Sequence, residues 1–142
     1  MAEQGRYIPA HLRRLVIERA SERCEYCRLS QAGQAATFHI DHVTPVAAGG
    51  ETKLENLAQA CVSCSLRKSA RQKVVDEQSG QEVFIFNPRQ QGWGEHFRWE
   101  GVTVVGITAI GRATVDALDM NRPVMLAIRT EEIFFYRHPP PE

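Results

Sequence analysis

The chain has 142 residues, 17 basic and 17 acidic, and so carries no formal net charge. Its apolar content of 43% suffices for one packed domain, or for a small domain with an extension. The balanced charge excludes a chain that holds nucleic acid by bulk attraction alone, though not a local basic patch. No run approaches the ~18 apolar residues of a membrane span. The opening MAEQGRYIPAHLRR lacks a signal peptide's apolar stretch, so the expected setting is cytoplasmic, with no membrane partner.

Residues 9 to 23 read as a helix. Pro9 suits the first turn, and Leu12, Leu15, Val16 and Arg19 recur at helical spacing, with Arg13, Arg14 and Arg23 largely on other faces. RLSQAGQAA is a polar loop. A strand is expected over 37–43, ended before Pro45, which cannot donate to a ladder. AAGGET is a loop, and LENLAQA leads to the second cysteine pair. A basic helix is expected from about 62 to 75, with Arg67, Lys68, Arg71 and Lys73 and no acid before Asp76. VVDEQSGQEVFIF then reads as strand, Ser-Gly turn, strand. After the loop NPRQQGWG, EHFRWEGVTVVGIT reads as a hairpin about Glu100 and Gly101. A helix from Thr108 or Gly111 through Met120 and a last helix over 122–137 follow, then the tail PPPE. Arg122, Arg129 and Arg137 are expected on solvated faces, and Trp93 and Trp99 in the core rather than stacked on bases.

The four cysteines, Cys24, Cys27, Cys61 and Cys64, form two C-x2-C pairs with none left over. Without a secretion signal, disulfides are not expected. A redox C-x-x-C needs only one pair and a βαβ setting, neither of which fits. Four unrelated buried thiols are the bland alternative. Two pairs of matching spacing point to a tetrahedral structural zinc.

Between the pairs lies His39-Ile40-Asp41-His42, then Asn56. An adjacent carboxylate and imidazole at a strand end form a useful chemical pair. The carboxylate can hold a hard divalent cation, and the imidazole can take a proton from water near neutral pH. Cation and base together serve phosphodiester hydrolysis. On a strand, residues 39 and 41 share a face, so His39 is a candidate second ligand, with a packed strand residue as its plain alternative. His96 is a weaker candidate to fold over the same site. His11 and His138 carry no signal.

The run C-x2-C … D-H-x2-P … G-G … N-L … C-x2-C-x3-K resembles the HNH nuclease motif, the ββα-metal fold, over about residues 24 to 70. Its pieces are Cys24, Cys27, Asp41, His42, Pro45, Gly49, Gly50, Asn56, Leu57, Cys61, Cys64 and Lys68. Farther on, Phe86-Asn87-Pro88-Arg89, Trp93, His96-Phe97-x-Trp99, Gly106, Gly111-Arg112-Ala113-Thr114 and Asn121-Arg122-Pro123 resemble small stand-alone bacterial HNH proteins.

The resemblance implies that Asp41 is a ligand of a catalytic cation, that His42 is the general base, and that Asn56 braces the loop that aims His42. The position after the last cysteine, an Asn or His in the family and a second cation ligand, is here Ser65, a short and poor ligand. The expected fold is α+β: an N-terminal helix, a zinc-pinned ββα core, then a β-hairpin region and two C-terminal helices. The expected division is 1–73 for helix and nuclease core and 74–142 for an accessory extension packed on it. The expected function is a metal-dependent DNA endonuclease with structural Zn2+ and catalytic Mg2+, Mn2+ or Ni2+. Arg67, Lys68 and Arg71 are its expected phosphate contacts. The alternative is a zinc-stabilised nucleic-acid-binding module with weak or lost catalysis. A homodimer or a separate specificity partner is compatible with either.

Overall fold

The first helix, α1, spans Ala10–Arg19 and buries Val16. It stops short of residue 23 because Ser21 and Glu22 take φ of +54° and +59°, a left-handed backbone that ends a right-handed helix. Arg19 donates to the carbonyls of Leu54 (2.9 Å) and Leu57 (2.5 Å), fixing α1 against the segment before the second cysteine pair. The structure, a computed structural model, describes residues 7–141.

Strands β1 (His39–His42) and β2 (Leu57–Ala60) pair antiparallel, with His39 opposite Ala60 and Asp41 opposite Ala58. Val43 N–H extends the pairing by donating to Asn56 O at 2.9 Å. Helix α2 (Val62–Lys68) follows at once, completing a β-β-α unit. The single basic helix expected over 62–75 is not formed. Ser69 takes φ +50° and ends α2, and Lys73–Val75 becomes strand β3, paired with β4 (Glu82–Phe84). The β-branched Val74 and Val75 suit a strand, and their partners lie beyond the reach of a local helical pattern.

The second half follows the expected order with shorter elements. A one-turn α3 (Trp93–His96) leads into β5 (Phe97–Glu100) and β6 (Thr103–Gly106). Gly101 turns their hairpin with φ +62°. Thr108 caps α4 (Ala109–Ala117) by accepting from Gly111 N–H. Helix α4 lies tightly on this hairpin: a Cβ at Gly111 would stand 1.9 Å from His96 O. Helix α5 (Pro123–Phe134) begins on its proline. One buried cluster runs from Cys24, Tyr26 and Phe38 to Phe97, Leu118 and Met125, so residues on both sides of position 73 share a core.

Three arginines expected on solvated faces are internal connectors. Arg129 is 2% exposed and donates to the carbonyls of Met120 (2.7 Å) and Val102 (2.9 Å). Arg122 bonds Ser63 Oγ, and Arg137 pairs with buried Glu132. Each satisfies acceptors on another element, which helical spacing alone does not reveal. Trp93 and Trp99 pack against the core with rings 5.3 Å apart, and Trp93 Nε1–H donates to Tyr26 O.

Candidate active site and its cysteine frame

The first cysteine pair sits on a tight knuckle closed by Cys24 N–H to Leu29 O at 2.8 Å. The second straddles the start of α2, where Cys61 Sγ accepts from Cys64 N–H at 3.4 Å. Cys27 N–H donates in the same way to Cys24 Sγ. The four buried sulfurs lie within 4.8 Å of one another, and those of Cys27 and Cys61 are 3.7 Å apart. A zinc tetrahedron with ~2.3 Å bonds has sulfur–sulfur edges of about 3.8 Å, so this donor set is compatible with structural zinc. Close thiol neighbours and burial push Cys27 and Cys64 up in pKa, while Cys61, on which the other sulfurs converge, is pushed down. Arg129 shares a small cavity wall with Cys27. Burial lowers its pKa and the sulfurs oppose that shift; its charge would offset the negative charge of four thiolates if they held one zinc.

Asp41, His42 and Ser65 line one open cleft of about 300 Å³, together with Ile40, Pro45, Val46 and Ser69. The strand contributes the first pair and α2 contributes Ser65; β2, paired with β1 and running straight into Cys61 and α2, links the two walls. Asp41 is buried. Tyr26 donates its hydroxyl to Asp41 Oδ2 at 2.7 Å. Lys68 Nζ stands 3.1 Å from Oδ2 and 3.4 Å from Oδ1, and donates to His42 O at 3.2 Å. Burial pushes the Asp41 carboxyl above its ordinary pKa, and the Lys68 ammonium and Tyr26 hydroxyl pull against that shift. Tyr26 is itself pushed well up, first by burial and then by the Asp41 charge.

His42 Nε2 lies 2.8 Å from Thr52 Oγ1. Asn56 accepts from Thr44 N–H at 2.8 Å and donates to the carbonyls of Thr44 (3.0 Å) and Glu51 (2.9 Å). It thereby clamps both ends of the loop after His42. Gly49 turns that loop with φ +92°, and Gly50 passes so close that a Cβ would stand 1.8 Å from Thr44 O.

His39 Nδ1 bonds Ser65 Oγ at 2.9 Å, so the two candidate second ligands touch. Among the described residues, the four cysteines are the one group of three or more Cys, His, Asp or Glu with converging ligand atoms. At the cleft, the Asp41 carboxylate and Ser65 hydroxyl supply oxygen donors on facing walls, a set that fits a hard divalent cation with the remaining places open to water or substrate.

The basic residues separate. Lys68 turns inward and is 2% exposed, because the carboxylate it neutralises lies under the inner face of α2. Arg67 and Arg71 are exposed. Arg67 sits about 200° around the helix from Ser65, bonding Ser63 and standing 3.8 Å from Asp119. Arg71 donates to the carbonyls of Arg67 and Ala117. On α1, Arg19 is engaged with backbone carbonyls, as is Arg23, which bonds Arg28 O and Arg137 O; Arg13 and Arg14 are exposed. His96 does not reach the cleft: it bonds Thr108 Oγ1 at 2.7 Å and meets Phe86 edge-on. His138 is buried against Trp99 and bonds Gly101 O, while His11 is exposed.

Tyr26 and Thr52 are the contacts that sequence reasoning missed. Tyr26 lies inside the first C-x2-C, and that placement is the only local hint that it faces the same centre. Thr52 sits in the loop that Asn56 clamps, with nothing in the spacing to mark it.

Residues 24–71 match the family model described as HNH endonuclease. Neither curated proteins nor solved structures gave a match. The matched segment holds both cysteine pairs, the β1–β2 hairpin and α2, and the likeness to HNH endonucleases rests on that segment.

Proposed function

We propose that the protein is a metal-dependent endonuclease that hydrolyses DNA phosphodiester bonds, with His42 as general base and Asp41 as an anchor of the catalytic cation. The observation that carries this reading is the meeting of Asp41, His42 and Ser65 on one open cleft inside an HNH domain. When bound there, Mg2+, Mn2+ or Ni2+ supplies Lewis-acid stabilisation of the charge that builds on phosphate and leaving group.

The chain's own residues do the rest. The His42 imidazole accepts the proton of the attacking water. Thr52 orients its ring, and Asn56 holds the loop so that the ring's place is fixed. Asp41 and Ser65 present oxygens, and His39 holds the Ser65 hydroxyl. Attack in line breaks the bond from phosphorus to the 3′ oxygen, leaving a 5′ phosphate and a 3′ hydroxyl. Arg67 and Arg71, with Arg13 and Arg14, contribute exposed positive charge for backbone phosphates. Residues 1–73 act as the nuclease part and 74–142 as its packed support. A zinc held by Cys24, Cys27, Cys61 and Cys64 fixes the frame.

The test is incubation of plasmid and end-labelled single-stranded DNA with the zinc-loaded protein and each cation in turn. Cleavage with 5′-phosphate ends is expected, and no cleavage with any cation contradicts the reading. A second reading is a nucleic-acid-binding module with little turnover, favoured by Ser65 standing where the family has Asn or His and being bonded to His39. It predicts salt-dependent gel shifts without products.

A further inference from the structure

We propose that Lys68 is the resident counter-ion of Asp41, and that it makes cation loading depend on the substrate: the divalent ion and the phosphodiester enter the cleft together, and the ion alone binds weakly. The proposal rests on the reading of Asp41 as cation anchor and deepens it.

Three observations carry it. First, the cleft has no net charge to offer. Among the described residues, Asp41 is the only carboxylate on its lining, and the Lys68 ammonium at 3.1 Å cancels it. A hard dication without a charged partner usually collects more than one carboxylate. Second, the ammonium's three protons have three acceptors in place: both carboxylate oxygens and the His42 carbonyl. Lys68 therefore reaches a phosphate only by giving up one of these bonds. Third, the side chain is 3% exposed, so it is packed in place and its positive charge stays beside Asp41 when another cation arrives.

Consequently a dication beside Asp41 meets one attractive and one repulsive charge at close range, in a partly buried setting where neither is well screened. A phosphodiester on the same cleft adds the missing negative charge. By linkage, each then raises the affinity of the other by the same factor. Tyr26 completes the arrangement: its hydroxyl on Oδ2 leaves Oδ1, with its longer contact to Lys68, as the freer oxygen for the entering ion.

The test measures binding of Mn2+ by the electron paramagnetic resonance of the free ion, on zinc-loaded protein. The Asp41→Asn variant identifies the share bound at the cleft. In a His42→Ala background, which keeps DNA intact, a short duplex is expected to tighten Mn2+ binding by about tenfold or more. Lys68→Met is expected to tighten binding of Mn2+ without DNA by about tenfold, and to shrink the gain from duplex. Because this change leaves Asp41 buried and unpaired, Lys68→Gln, which keeps a donor without the charge, replaces it if the methionine variant does not fold. Mn2+ binding that Asp41→Asn abolishes, but that neither Lys68 variant tightens, overturns the counter-ion proposal and leaves the anchor standing. Mn2+ binding unchanged in Asp41→Asn overturns the anchor, and the proposal with it.

Discussion

Asn56 makes three side-chain hydrogen bonds to the two ends of one loop, and His42 is the residue that loop follows. Truncation to alanine strands the half-buried amide of Thr44 and two carbonyls. Asn56→Ala is expected to lower stability by about 2–3 kcal/mol, read by urea unfolding, and to slow cleavage at saturating cation under conditions where the variant is fully folded. Ser65 sits across the cleft from Asp41 and bonds His39. Replacement by asparagine lengthens the donor toward the cleft, and Ser65→Asn is expected to lower the Mn2+ concentration for half-maximal cleavage about tenfold; an unchanged metal curve contradicts Ser65 as a cation-facing position. These residues differ in how legible they are. Asp41, His42 and Asn56 stand in a short motif whose spacing is local. Lys68 and Tyr26 reveal their role only when β1 is laid beside α2 and the first knuckle, so the charge on Lys68 reads in sequence as a surface phosphate contact and in the fold as the partner of Asp41.

At the scale of elements, β1 was readable because Pro45 and the double glycine close it, whereas β2 gave no strand signal of its own and entered only through the resemblance to a ββα fold. The boundary between α2 and β3 was not readable, since a basic run carries no signal for the left-handed turn at Ser69 or for the pairing of Val74 with Val83. The β3–β4 turn has its own anchor. Asp76 accepts from the Ser79 hydroxyl at 2.6 Å and pairs with Arg112 of α4 at 2.9 Å. Arg112 and Ser79 hold its carboxyl well below the usual carboxylate range. Its folded pKa lies below its unfolded one, so its contribution is complete above the unfolded value of about 3.9 and is lost as pH falls from there through the folded value. Asp76→Asn is therefore expected to be less stable than the parent by a constant margin from neutral pH to about pH 5, with the margin shrinking below about pH 4. Comparing urea midpoints of the two proteins cancels the acid sensitivity of the cysteine site, which both share.

At the scale of the molecule, the balanced charge resolves into inward and outward parts. Lys68, Arg129 and Arg89 serve buried acceptors: Asp41 and the His42 carbonyl, backbone carbonyls, and Glu25, respectively. Arg13, Arg14, Arg67 and Arg71 remain exposed. The core is shared across residue 73, where the sequence suggested an accessory extension packed on a nuclease core. A chain cut after residue 73 is expected to lose the partners of Cys24, Tyr26 and Phe38 in that cluster and to lack a cooperative unfolding transition. The cysteine frame ties the first knuckle to α2. Metal analysis is expected to find about one zinc per chain, and a strong chelator to lower the melting temperature by about 10 °C or more; a melting temperature indifferent to chelation contradicts the zinc frame.

The claim on which the rest depends is that His42 takes the proton from the attacking water. It is tested most directly by single-turnover cleavage of plasmid by zinc-loaded protein with added Mn2+, comparing the parent with His42→Ala after circular dichroism has shown both folded. The parent is expected to cut at least about 100-fold faster. Equal rates contradict the assignment.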